Sequence, residues 1–189
     1  PVEAEMAHYR SETMVPASDV WTQTSPVNWK SVRDVDNEGY HVAMAHPALQ
    51  DLYGPTYFDE PFVNGLSRSF ATYNRNAGRR WSVRRYTTLA PEQAHLPDYL
   101  KNAWVYYGIF PNAVISLMPE SVQFYQEFPL STRQTLLRGA VYRYRDESRA
   151  QAAARYLSYR IDRDTMSEDV QLTVWSNESM LSRSFNGFY

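Results

Sequence analysis

Four segments rich in aromatic and β-branched residues follow one another closely: Trp104 to Ile109, Ala113 to Met118, Val122 to Phe128 and Thr135 to Tyr144. Only turn-forming stretches at Pro111-Asn112, Pro119-Glu120 and Pro129 to Thr132 separate them. Connections this short cannot carry a crossover, so neighbouring strands must run antiparallel. Two earlier segments, Ser67 to Tyr73 and Arg80 to Thr88, have similar composition, with Asn74 to Gly78 read as a hairpin connection between them. From Asp146 the chain turns to Arg, Ala, Gln and Leu, and Ala153, Leu157 and Ile161 recur at helical intervals. A second helix is expected from about Ser167. Strands in a block followed by helices indicate an α+β layer fold.

The 189 residues, 43% of them hydrophobic, suffice for one core, so residues 1–189 are read as a single domain. No apolar run approaches 18 residues and no basic-then-apolar leader opens the chain. Neither a membrane span nor a secretory signal is therefore expected, and the cytoplasm is the natural compartment. A net charge of −2 argues against nucleic acid as a partner.

The stretch from Asn28 to Leu49 carries the chemistry. Glu38 stands three residues before His41, and His46 follows five residues later. Residues 34 to 46 read as a helix, on which each residue advances about 100°; His41 then lies roughly 60° to one side of Glu38 and His46 roughly 80° to the other. All three share a face. The separation of the two histidines would strain a regular helix, but Pro47 pushes His46 out of the α region and lets its ring swing inward. Two imidazoles with a carboxylate suit iron, zinc, copper or nickel. On these residues alone the spacing permits a metal without requiring one: Glu38 also reads as a solvated helix charge. Asp169 follows Thr165-Met166-Ser167-Glu168, whose ends form a capping-box pattern, so acids there also suit a helix's first turn.

The wider string, Asn28-Trp29-Lys30, Glu38, Tyr40-His41 and His46-Pro47 with Leu49, resembles the catalytic domain of Rieske-type non-haem iron oxygenase alpha subunits, the aromatic-ring-hydroxylating dioxygenases and related monooxygenases. Tyr106 to Asn112, Phe128-Pro129-Leu130 and Glu168-Asp169 match further downstream in the same order, and the resemblance covers nearly the whole chain. It implies a helix-grip fold, an antiparallel sheet curled around a long C-terminal helix. It implies Fe(II) on His41, His46 and Asp169, with open positions for O2 and substrate. Glu38 would be no ligand but the bridge by which electrons reach His41 from a cluster on a neighbouring subunit, and would hold that ring. The implied partners are a small organic substrate, an electron-donating reductase or ferredoxin, and further subunits in a homotrimer, with or without beta subunits.

A Rieske 2Fe-2S cluster takes two cysteines and two histidines, and this chain has no cysteine. The cluster is therefore expected in an N-terminal Rieske domain outside this sequence, which reads as a catalytic-domain fragment. The many aromatic residues nominate Trp104, Tyr107, Phe110 and Trp175 for the substrate pocket, where an aromatic cage would also suit a quaternary ammonium group. A glutamate at the bridging position, as at Glu38, is more typical of the branch of the family acting on such substrates. The expected reaction is hydroxylation or oxidative demethylation. The competing readings are a helix-grip module that binds an apolar ligand without catalysis, and a zinc hydrolase.

Overall fold

The computed structural model describes residues 2–184. In chain order the elements are α1 (Val2–His8), β1 (Val15–Pro16), β2 (Trp21–Ser25), α2 (Trp29–Asp36), α3 (Val42–Ala45), α4 (Pro47–Tyr53), β3 (Phe58–Asp59), β4 (Leu66–Thr72), α5 (Trp81–Leu89), β5 (Ala103–Ile109), β6 (Ala113–Met118), β7 (Ser121–Ser131), β8 (Gln134–Arg143) and α6 (Arg149–Met180). β5 to β8 form the antiparallel meander that their short connections demand. β4 and then β3 extend it beyond β5, while β1 and β2 both pair with β8 at the other edge. The open sheet and long C-terminal helix are the α+β, helix-grip architecture expected.

Register places specific side chains on the face toward α6. Ser69, Tyr106, Ser116 and Gln123 are successive cross-strand partners from β4 to β7. The adjacent row runs Val114, Tyr125, Gly139 and Trp21. Side chains alternate along a strand, so Tyr107 points to the opposite face. There it joins Tyr9, Leu100, Val105 and Leu117 in a second core. Arg68 ties α1 to that face, meeting Glu5 Oε1 at 2.9 Å and the Tyr107 hydroxyl at 3.1 Å.

Gly139 is required where Trp21 crosses β8. A Cβ there would lie 2.5 Å from both the Trp21 ring and the Phe124 carbonyl oxygen. Overpacking of this kind costs roughly 1–3 kcal/mol. Gly139→Ala should lose stability in that range in urea unfolding; a change under about 0.5 kcal/mol, the size of an ordinary surface substitution, would contradict this packing.

α6 is one unbroken helix of 32 residues, about 48 Å long at 1.5 Å per residue. Its capping box is Ser148 with Gln151: Gln151 N donates to Ser148 Oγ at 3.2 Å, and Ser148 N donates to Gln151 Oε1 at 2.6 Å. The second helix expected near Ser167 is thus the middle of the first. Thr165 is no cap; its hydroxyl donates to the Ile161 carbonyl one turn back at 3.1 Å. The pattern of Thr165 and Glu168 is a chance match inside a helix whose buried stripe, Ala154, Leu157, Ile161, Thr165 and Thr173, passes straight through it.

Arg80 to Thr88 is also not a strand. Val83, Tyr86, Thr87 and Ala90 are buried at 0–1% exposure, a spacing of i, i+3, i+4 and i+7 that faces a helix to the core. The Asp51 carboxylate starts this helix by accepting the backbone N–H groups of Arg79 and Arg80 at 2.8 and 2.7 Å. Burial of α5 against α4 and α6 overrides the β propensity of Trp81, Val83, Tyr86 and Thr87.

Candidate functional site

The helix expected over residues 34 to 46 is divided, and the division makes the site. α2 opens at Asn28, whose side chain accepts the Lys30 N–H at 2.9 Å, and ends at Asp36. The chain then turns away at Gly39, where a Cβ would fall 2.1 Å from the Tyr57 ring. Asp59 holds the turn, accepting Gly39 N–H and Tyr57 O–H at 2.8 Å each. His41 thus stands at the start of α3, and His46 at its end, with φ −115° and ψ 79°. That departure from the α region is what Pro47 imposes, and Pro47 in turn occupies the first turn of α4.

From these positions the two imidazoles face each other, Nε2 to Nε2, at 3.1 Å. Asp169, on the inward side of α6, brings Oδ1 to 2.9 Å from His46 Nε2 and 3.5 Å from His41 Nε2. The three ligand-capable atoms lie within 4.8 Å of one another. Each ring is held from behind: His41 Nδ1 meets Glu38 Oε1 at 2.5 Å, and His46 Nδ1 meets Glu168 Oε2 at 2.9 Å. A carboxylate behind Nδ1 places the proton there and turns the Nε2 lone pair toward the centre.

A divalent cation fits this arrangement. With both Nδ1 atoms protonated, the centre is bounded by two lone pairs and a carboxylate oxygen, and nothing donates among them. Asp169 Oδ1 is buried and, despite its closeness to His46, has no aligned hydrogen bond. Without a metal, protons take the cation's place. Burial works against charged imidazoles, yet Asp169 with Glu38 raises His41, and Asp169 with Glu168 raises His46. Burial likewise pushes Asp169 up, but the two histidines hold its carboxyl below the usual range.

Glu168 is the candidate site residue that the capping-box pattern placed at a helix start. It lies 122 residues from His46, and its one sequence signal was adjacency to Asp169: neighbouring helical residues diverge by about 100°, enough for each acid to meet a different part of the histidine pair. Loss of such an orienting carboxylate typically costs about 10- to 100-fold in metal affinity. Glu168→Ala should weaken divalent-metal binding by that factor in a chelator competition; parent-level affinity would remove Glu168 from the site.

A cavity of about 550 Å³ opens beside these residues, between the sheet and α6. Trp21, Tyr106 and Tyr125 give it aromatic walls, and Asp36 and Asp162 add carboxyls. The four aromatic residues nominated for the pocket lie elsewhere. Trp104 is fully buried in the core against Tyr53 and Tyr86. Tyr107 is on the opposite sheet face, while Phe110 and Trp175 are 66% and 57% exposed. Aromatic content pointed to an aromatic cavity, but strand parity and position along α6 decide which rings line it.

The family model for the ring hydroxylating alpha subunit (catalytic domain) matches residues 5–189. Among solved structures, the chain is similar to a quaternary ammonium Rieske monooxygenase implicated in carnitine oxidation by gut microbiota, with TM-score 0.72 and 16% identity over 98% of this chain and 46% of the other. It is similar to such an enzyme in complex with L-carnitine, with TM-score 0.65 and 18% identity over 99% and 46% of the two chains. Naphthalene 1,2-dioxygenase from Rhodococcus sp. bound to indole matches with TM-score 0.56 and 11% identity over 89% and 48%. This chain therefore spans about half the length of those proteins. No curated protein matches it by sequence.

Proposed function

The chain belongs to the ring hydroxylating alpha subunit family, as its catalytic domain, and from that premise we propose that it is the iron-bearing domain of an oxygenase that uses O2 to hydroxylate or oxidatively demethylate a small organic molecule. The observation that carries this reading is the convergence of His41 Nε2, His46 Nε2 and Asp169 Oδ1 with a carboxylate behind each imidazole. Two histidines and one carboxylate with open positions form the facial triad of non-haem Fe(II) oxygenases. Fe(II) held there would supply activation of dioxygen beside the bound substrate.

The chain's own residues do the positioning. Glu38 fixes the His41 ring and, at 27% side-chain exposure, also reaches the protein surface. That placement supports its role as the bridge toward a Rieske cluster on a neighbouring subunit, supplied in turn by a reductase or ferredoxin. The proposed assembly is a homotrimer, with or without beta subunits. No described helix is long and apolar enough to cross a membrane.

For the substrate, the cavity favours a cationic group within an organic frame. Asp162 lines it without an ion-pair partner among the described residues; burial, then Asp169 and Asp36, push its carboxyl up to about 7. Aromatic walls next to an uncompensated acid suit a quaternary ammonium or amine by cation–π attraction, the substrate type of the carnitine-oxidising enzymes. The test is peroxide-driven oxidation by the Fe(II)-loaded chain of a panel of aromatic and quaternary ammonium compounds. Product formation with iron and none with zinc is expected. Hydrolysis of a compound with zinc loaded, and no oxidation with iron, would indicate a hydrolase, and tight ligand binding in metal-free protein with no oxidation under any loading would indicate a binding module.

A further inference from the structure

Beside the cavity, and separate from the metal centre, lies a buried group that the positioning of iron does not use. Arg33 on α2 is 5% exposed; its Nη1 donates to the Ala113 carbonyl at 3.2 Å and stands 3.4 Å from Glu127 Oε1. Glu127 on β7 is completely buried, and neither carboxyl oxygen has a hydrogen-bond donor among the described residues. Asp36, one turn after Arg33, is within hydrogen-bonding reach of Glu127, and its Oδ2 is likewise buried without a donor. The Tyr125 ring, two residues before Glu127 and on the same strand face, stands beside Asp36 in the cavity wall.

Charge and hydrogen bonding fail to balance here if both acids are ionised. One guanidinium faces two carboxylates, and desolvating the unmatched charge costs several kcal/mol. Two ionised carboxylates in contact also repel strongly enough that one retains its proton. A single proton resolves both faults. It turns an acceptor-to-acceptor contact into a hydrogen bond and leaves one negative charge opposite Arg33.

We propose that Asp36 and Glu127 hold one proton between them, making a neutral group with Arg33, and that Asp36 acts as a positioning residue which keeps this wall of the cavity uncharged. Asp162 is then the carboxyl available to a cationic substrate, on the opposite, helical wall. The use of the pair in substrate placement rests on the oxygenase reading above; the shared proton does not. The charged and titratable groups facing the pair are Arg33 from α2, Tyr125 from β7, and Asp162 and Asp169 from α6. Burial first and then Asp36 push Glu127 up to about 9 against the pull of Arg33, so the proton persists when Glu120 and Asp162, at about 7, have lost theirs.

Infrared spectroscopy of the metal-free chain at about pH 8, between those values, reads the proton through the carbonyl stretch of a protonated carboxyl. The parent should show one such buried band. Asp36→Asn and Glu127→Gln should each abolish it, because either substitution leaves one carboxylate for one guanidinium. The double variant should lose nothing more than either single one. Carboxyl-13C labelling of glutamate and aspartate in the unsubstituted protein assigns the band if a variant fails to fold: a shift with either label supports the pair. A parent without the band, a band that survives Asp36→Asn, or two bands lost in the double variant would each overturn the shared proton.

Discussion

His41→Ala and Asp169→Ala should each lower Fe(II) affinity by more than the roughly 10- to 100-fold expected from losing an orienting partner, because each would remove one of the three proposed protein ligands. Glu38→Gln should fall within that smaller range. Its amide oxygen can still accept from His41 Nδ1, now 2.5 Å from the carboxylate, so the ring keeps its orientation. Anaerobic titration with Fe(II) against a chelator separates the two classes. If His41→Ala binds as tightly as the parent, the histidine pair is structural and its 3.1 Å approach has another cause.

The second large effect is on stability. Glu120, in the turn between β6 and β7, is 1% exposed. Its Oε2 accepts from the Tyr86 hydroxyl at 3.1 Å, while Oε1 has no donor among the described residues. Burial drives its pKa from 4.5 to about 7, with Ser158 and Tyr86 pulling the other way. The folded state therefore holds this proton more tightly than the unfolded state. Its stabilising contribution is complete below 4.5 and is lost as pH rises to about 7 and beyond. At about 1.36 kcal/mol per unit, the swing is about 3 kcal/mol. Glu120→Gln keeps an acceptor for Tyr86 and removes the ionisation. Urea unfolding near pH 5 and pH 8 should show the variant gaining about that much relative to the parent at the higher pH. An unchanged difference between the two pH values would place the titration of Glu120 elsewhere.

The legible parts of this chain were those governed by local rules. Short turns fixed the meander from β5 to β8, and Pro47 correctly marked where His46 leaves the helix. Local composition misled where burial decided instead. Trp81, Val83, Tyr86 and Thr87 have strand chemistry but a helical burial pattern, and the continuous inner stripe of α6 ran through an apparent cap at Thr165. The division of the 34 to 46 helix depends on Tyr57 and Asp59 pressing against Gly39, contacts that no local pattern announces. At the candidate metal centre, His41, His46 and Asp169 come together as the family resemblance implied, across 123 residues between the last two. Glu168 and the cavity walls were illegible for a different reason. Which acid reaches His46, and which aromatic rings face α6, follow from rotation about a helix and parity along a strand once both elements are docked.

The central claim is that His41, His46 and Asp169 form one mononuclear iron site per chain, and metal content tests it without knowledge of the substrate. The unsubstituted chain, loaded anaerobically with Fe(II), desalted and analysed for metal, should retain one iron per chain. A chain that remains metal-free under those conditions, with its fold intact by circular dichroism, would contradict the account.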